Sequence, residues 1–236
     1  MYVALSDDLI KEFLAYKGNS FNKEIIAKLF KYLHPFKIGE YQESLFTEGL
    51  LKQFVVANPD LVSLSKVENE VDLIKSTKFK IMLTTDRNTY PHINILGDEI
   101  GVNFNAFYKA RDDRKKAIEH IKALLEEATY IEIIDKYLLI PNPTTNKWAE
   151  NLKILKQILP HKEIDIKFIS DNSEIKPAHK TQIKNCCSQW NPTYPKIPTN
   201  IHDRYIKTDK VTILLSSGID YLHDKSKDLT YLVRNN

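Results

Sequence analysis

Asn200-Ile201-His202-Asp203-Arg204-Tyr205-Ile206-Lys207-Thr208-Asp209, followed by Val211–Leu215 and then Ser216-Ser217-Gly218-Ile219-Asp220-Tyr221-Leu222, is the stretch around which the chain is organised. Reduced to chemistry it reads H-x-R-x4-D, six residues, then Ser-Ser-Gly. Alternate side chains leave a strand on one face, which puts His202 and Arg204 on the same side, about 7 Å apart. Asp209 falls on a turn or at the start of the apolar strand Val211–Leu215. An imidazole beside a guanidinium, with a carboxylate nearby, is a phosphate-handling group: one nitrogen that attacks and one cation that holds oxygens. Two plainer readings stand beside it. His202 can be a hydrogen-bonded structural histidine, and Asp203-Arg204 a surface ion pair.

Working outward, strands and helices alternate on the N-terminal side of this stretch. Asp112–Ala128 is the clearest amphipathic helix, with Ile118, Ile121 and Leu125 on one stripe. Tyr130–Ile134 reads as a strand and Asn146–Leu159 as a helix whose stripe is Trp148, Leu152, Leu155 and Leu159. Ile164–Ile169 is a strand, and Ile175–Gln189 is a helix that takes Pro177 in its first turn. A Pro-rich run, Asn191–Pro198, leads into the motif strand, and a last strand is expected near Leu229–Val233. This alternation predicts an α/β sheet with helices on its faces. The motif strand should lie centrally, with its ligand outside the strand ends.

Further upstream the pattern is helical. Ser6-Asp7-Asp8 caps a helix to about Tyr16, a second runs from Asn22 to about Leu33, and a third from about Glu43 to Ala57. From about Thr77 strands take over. Phe79–Leu83 is one, and His92–Leu96 with Ile100–Phe104 form the arms of a hairpin across Gly97-Asp98-Glu99. The expected division is therefore a helical N-terminal region, 1–76, followed by an α/β domain, 77–236.

The bulk numbers bound the function classes. With 236 residues, 42% hydrophobic and 28% charged, the chain is long enough to bury a sizeable core. A net charge of +3, from 34 basic and 31 acidic residues, is too balanced to declare a nucleic-acid binder without a local patch. Six glycines leave neither a G-x-G-x-x-G nor a P-loop. The two cysteines, Cys186-Cys187, are adjacent and fit no Cys/His metal box, so the expected compartment is reduced and cytoplasmic. The N-terminus has no signal-peptide pattern and no apolar run suits a bilayer span.

Other ionisable residues have ordinary readings. Asp135, at the end of a strand, is a site acid or a loop and capping residue. His92 and His120 read as structural or solvated, and His34, His161 and His223 as surface residues. His179, with Lys176, Lys180 and Lys184, reads as a solvated helix face or as part of a basic patch.

H-x-R-x4-D resembles the phospholipase D superfamily motif H-x-K-x4-D, with Arg204 in place of Lys and Ser216-Ser217 where that family has Gly-Ser. Ile201-His202-Asp203-Arg204-Tyr205-Ile206 and Gly218-Ile219-Asp220-Tyr221 are more specifically similar to the phospholipase-D-like C-terminal domain of MIT-domain proteins of the endosomal sorting pathway. That similarity extends upstream through Tyr130–Tyr137, over about the last 110 residues. The resemblance implies a phospholipase-D-like mixed sheet with helices on its faces. It also implies a phosphodiesterase that needs neither metal nor other cofactor, a nuclease acting on nucleic acid or an enzyme for another phosphodiester.

By the same resemblance His202, Arg204 and Asp209 are the catalytic set, and Ser216, Ser217 and Asp135 bind substrate. The chemistry needs two imidazoles on opposite sides of the phosphorus, and one motif supplies them only in a homodimer. Two departures bear on it. Arg changes the reach of the cation, and Ile219 stands where the superfamily often has Asn. The alternatives are a non-catalytic module binding a phosphorylated partner or anionic lipid at a membrane periphery, and a subunit of a larger assembly, including one for defence.

Overall fold

The computed structural model describes residues 3–16, 20–31, 35–97, 103–140, 147–171, 175–195 and 203–236. The chain divides into two compact units, Met1–Phe104 and Asn105–Asn236. The expected boundary at 76/77 falls within the first of these units.

The first unit is α/β rather than helical. Its elements are β1 (Val3–Leu5), α1 (Asp7–Tyr16), α2 (Lys23–Lys31), β2 (Phe36–Gly39), a 3-10 turn (Glu40–Leu45), α3 (Leu50–Ala57), β3 (Val62–Ser65), α4 (Glu70–Lys75), β4 (Met82–Thr84) and β5 (His92–Asn94). The five strands pair in parallel in the order β3-β2-β1-β4-β5. Strands of three or four residues in a parallel sheet carry no alternation long enough to read. That is why β1, β2 and β3 escaped the sequence. The third expected helix breaks at Gly49, whose φ of 77° lies in the left-handed region that glycine adopts without strain. β5 pairs in parallel with β4, Met82 opposite His92, in place of the expected hairpin with Ile100–Phe104. Period-2 alternation names the buried face of a strand, not its neighbour. Residues 100–102 of that arm lie outside the described residues.

The second unit carries β6 (Phe104–Tyr108), α5 (Lys115–Glu126), β7 (Tyr130–Ile134), α6 (Lys147–Ile158), β8 (Ile164–Ile169), α7 (Pro177–Cys186), β9 (Trp190–Thr193), β10 (Arg204–Thr208), β11 (Val211–Leu215), a 3-10 turn (Ile219–Leu222) and β12 (Leu229–Asn235). Among the described residues they build one mixed sheet of order β6-β12-β11-β10-β7-β8-β9. The motif strand β10 is the middle one of the seven. β7, β8 and β9 run parallel, joined by α6 and α7, whereas β10 is antiparallel to both neighbours. Strand β9 overlaps the start of the Pro-rich run Asn191–Pro198, where no strand was expected. Pro192 sits on the sheet edge, where a missing ladder donor is tolerated.

Register explains the core. Phe168, Ile133, Ile206, Ile213 and Val233 are cross-strand partners in one row over five strands, each fully buried. Each side chain of that kind contributes about 1.5–3 kcal/mol on burial. Two residues further along, on the same face, the row reads Arg204, Leu215 and Tyr231. α5 covers this face through His120, whose Nδ1 lies 2.8 Å from the Tyr231 hydroxyl. Among the described residues no helix is long and apolar enough to cross a membrane.

Asp209, expected in the catalytic set, lies in the β10–β11 turn, at the opposite end of β10 from Arg204. Five strand residues separate the two ends by roughly 16 Å. Its Oδ1 accepts the Thr129 backbone N–H at 3.0 Å, tying the turn to the start of β7. Partial burial alone would raise the carboxyl pKa, but hydrogen bonds, led by that from Thr129, hold it below the usual value.

Two outcomes are expected. Ile206→Ala should cost about 2–5 kcal/mol by urea denaturation, from the middle of the buried row. Asp209→Asn should cost about 0.5–1 kcal/mol at neutral pH, kept small by solvent screening. The sign follows from a folded pKa below the unfolded one. The wild-type advantage holds above the unfolded value of about 3.9 and closes as pH falls through the folded pKa. Parallel urea curves from pH 7 to pH 2 check it.

Candidate functional site

Three strand ends and a helix start meet at one end of the seven-stranded sheet. Asp135 follows β7, Arg204 opens β10, Ser216-Ser217 follow β11, and Lys147 opens α6. The antiparallel register sets Tyr205 opposite Ile134, which brings Arg204 alongside Asp135. These residues, with Tyr137, Leu138, Asn151, Gly218, Asp220, Tyr221 and Lys227, line a pocket of about 350 Å³.

Asp135 is the anchor. It is 2% exposed, its Oδ2 accepts the Ile219 N–H and its Oδ1 accepts the Tyr137 N–H, both at 3.0 Å. Burial pushes its pKa up, while those two donors and the Arg204 charge pull the other way. Gly218 makes the close approach possible. A Cβ there would stand 2.2 Å from Asp220 Oδ1 and 3.3 Å from Asp135 Oδ2.

The cations differ in what holds them. Lys147 Nζ donates to Asp220 Oδ2 at 2.8 Å, a bond that raises the lysine's pKa. Lys147 and Lys227 also lie over the Tyr221 ring, 5.1 and 5.3 Å from its centre. The Lys227 loop is pinned by buried Arg114, whose Nη2 donates to the Lys227 carbonyl at 2.7 Å. Arg204 is different. Its Nε is buried without a hydrogen-bond partner, and the nearest carboxylate oxygen, Asp135 Oδ1, is 3.9 Å away. The side chain is 26% exposed, so this guanidinium is partly desolvated, with its Nε donor uncommitted. Asn151, on α6, donates from Nδ2 to the Leu138 carbonyl at 2.8 Å and leaves Oδ1 buried and unpartnered.

Of the residues expected at the site, Arg204, Asp135, Ser216 and Ser217 come together around the pocket and Asp209 does not. His202 lies outside the described residues. Ser216 Oγ accepts the Thr230 N–H at 2.8 Å, and Ser217 Oγ donates to the Asp228 carbonyl at 3.2 Å. The surface ion pair between Asp203 and Arg204 is not formed; Asp203 accepts from the Tyr205 hydroxyl at 2.8 Å.

Lys147, Asp220, Tyr221, Lys227 and Asn151 were assigned no site role from sequence. Asp220 and Tyr221 stood in the quoted stretch, but nothing in it showed that the chain turns back there. Lys147 carried a usable signal, as the first residue of the helix after a strand whose C-terminal end was expected to face the ligand. Of the remaining histidines, His34 lies outside the described residues, and the others have local surroundings. His92 Nε2 lies 2.7 Å from Glu70 Oε1 and His161 Nε2 2.9 Å from the Lys156 carbonyl, while His223 is held below its usual pKa by burial and by Lys153.

No family model matches the sequence, and no curated protein matches it. Among solved structures the chain is similar to NucT from Helicobacter pylori, with 9% identity over 56% of this chain and 85% of that one, at a TM-score of 0.36. It is similar to TrmBL2, an archaeal chromatin protein that binds DNA, at 10% identity over 54% of this chain and 44% of that one, TM-score 0.27. It is also similar to the yeast tyrosyl-DNA phosphodiesterase, at 10% identity over 54% of this chain and 32% of that one, TM-score 0.30.

Proposed function

We propose that the unit Asn105–Asn236 binds a phosphodiester in this pocket and cleaves it without a metal ion, in the manner of phospholipase D. The carrying observation is Arg204. A guanidinium Nε buried without a hydrogen-bond partner among the described residues is a costly arrangement, and an oxyanion is a partner that completes it. Lys147, Lys227 and the Ser216 hydroxyl surround the same volume, a donor set suited to non-bridging phosphate oxygens, while Ser217 lines it with its hydroxyl donated to the Asp228 carbonyl. The resemblance of 201–206 and 218–221 to phospholipase-D-like domains supports the same chemistry.

In this reading an imidazole nitrogen of His202 attacks phosphorus. The P–N bond forms as the P–O bond to the leaving alcohol breaks, and a second copy's imidazolium protonates the departing oxygen. That imidazole then takes a proton from water, whose oxygen displaces the histidine and restores both rings. Arg204 holds the developing charge. Asp135 acts through Arg204 and the 3-10 turn as a positioning residue. Because one chain supplies one such histidine, the proposal includes a homodimer. One feature favours the alternative, a non-catalytic phosphate-binding module: Ile219 offers only its backbone N–H, and that bond goes to Asp135.

The test is hydrolysis of bis(p-nitrophenyl) phosphate and of single- and double-stranded nucleic acid in EDTA. Turnover should persist in EDTA and fall about 10²–10⁴-fold in His202→Ala, and about 10²–10³-fold in Arg204→Ala. A protein that is monomeric at assay concentration by sedimentation velocity overturns the two-imidazole route. Absence of all hydrolysis, with binding of a phosphopeptide or an anionic vesicle lost in Arg204→Ala, establishes the alternative instead.

A further inference from the structure

Charge is distributed unevenly over the second unit. α6, α7 and the α7 cap residue carry six lysines (Lys147, Lys153, Lys156, Lys176, Lys180 and Lys184) and one acid, Glu150. That is a net +5, and since the whole chain is +3, everything else sums to −2. The two helices are adjacent. Trp148 and His179 pack at 4.9 Å between ring centres, Trp148 Nε1 donates to Gln182 Oε1 at 2.5 Å, and Cys186 Sγ lies 3.9 Å from the Leu152 carbonyl. Five of the lysines are exposed, and Lys147 lines the pocket.

The arrangement has a direction. α6 and α7 both follow parallel strands, so their N-termini lie at the same sheet end as the pocket. From Lys147 the surface passes to the half-buried pair Trp148 and His179, then to Lys176, Lys180 and Lys184. These last three recur every four residues, about 6 Å apart along the axis, on one stripe of α7. His179 Nδ1 accepts the Lys176 N–H at 3.0 Å, which fixes the ring beside Trp148 at the head of the lysine stripe. Lys180 Nζ lies 5.1 Å from the centre of the Tyr194 ring, itself stacked on Phe168.

A basic stripe interrupted by aromatic surface and leading out of a phosphate pocket has one chemical match: a chain of phosphates bearing stackable rings with both faces available. We infer that the α6–α7 face is a binding track for single-stranded nucleic acid that continues the pocket outward. A duplex hides its ring faces, and a lipid surface or an inorganic polyanion has none. The inference rests on the pocket reading only for the direction of the track; its affinity is independent of cleavage.

The experiment uses the full chain and fluorescence anisotropy of labelled (dT)20, with the matching duplex, inorganic polyphosphate and phosphatidylserine vesicles as parallel probes. Lys176→Glu/Lys180→Glu should weaken (dT)20 binding by at least about tenfold and lower the slope of log K against log salt by about 1.4, some 0.7 for each lost phosphate contact. Trp148→Leu, which keeps an apolar side chain, should weaken (dT)20 about tenfold and leave polyphosphate unchanged. Lys176→Glu/Lys180→Glu should hydrolyse bis(p-nitrophenyl) phosphate at the wild-type rate, and both variants should melt as wild type does.

Unchanged (dT)20 affinity in the double variant overturns the track. So does equal loss of polyphosphate in Trp148→Leu, a preference for duplex, or binding of vesicles in place of the oligonucleotide. Should the wild type hydrolyse no diester yet pass these binding tests, the proposed catalysis fails and the track stands.

Discussion

The Asp135 carboxylate, buried and clasped by two backbone N–H groups, is the contact on which the pocket depends. Taking a carboxylate out of water costs several kcal/mol, and hydrogen bonds to a charged group return about 1.5–3 kcal/mol each. The arrangement is stable only while all its donors stay in place. One donor comes from the loop after β7, the other from the 3-10 turn after β11, and the neighbouring positive charge from the first residue of β10. A single side chain thus coordinates three segments far apart in sequence. Gly218 is the steric counterpart, since any Cβ would stand in the space the two carboxylates occupy.

Much of the second unit was legible, for a definite reason. Helices α5, α6 and α7 and strands β7, β8, β10, β11 and β12 have strong periodic patterns or clean apolar runs, and alternation put β10 near the middle of the sheet. The first unit was not legible as a sheet. Its strands are too short for any period to establish itself, and the flanking helices dominate the local pattern. At the site the same division holds. Arg204, Asp135, Ser216 and Ser217 are near strand ends, where face and position follow from counting residues. Lys227 and Asn151 reach the pocket through tertiary packing, Lys227 because Arg114 holds its carbonyl and Asn151 because Leu138 does the same for its amide. Asp209 shows the limit of reading a motif as a unit. Spacing along a strand sends Arg204 and Asp209 of H-x-R-x4-D to opposite ends of β10.

The pocket's cations form a graded series. Lys147 is neutralised by Asp220, Lys227 leans on the face of Tyr221, and Arg204, 3.9 Å from Asp135, keeps a buried Nε without a hydrogen-bond partner among the described residues. A site with every cation paired would hold an anion weakly, because each new contact would break an old one. A site with none paired would repel itself when empty. Pairing two and leaving one open keeps the empty pocket tolerable and its attraction for an oxyanion strong at a single position.

Pro192, on β9, has a consequence for how the sheet meets other strands. It sits on the outermost strand, opposite Ile166, and offers no N–H to an incoming backbone. Ladder growth from that margin is blocked at the middle of a four-residue strand. Sheet-to-sheet fusion of two molecules, the usual failure of an open β edge, is therefore closed off along the side of the unit where α7 ends.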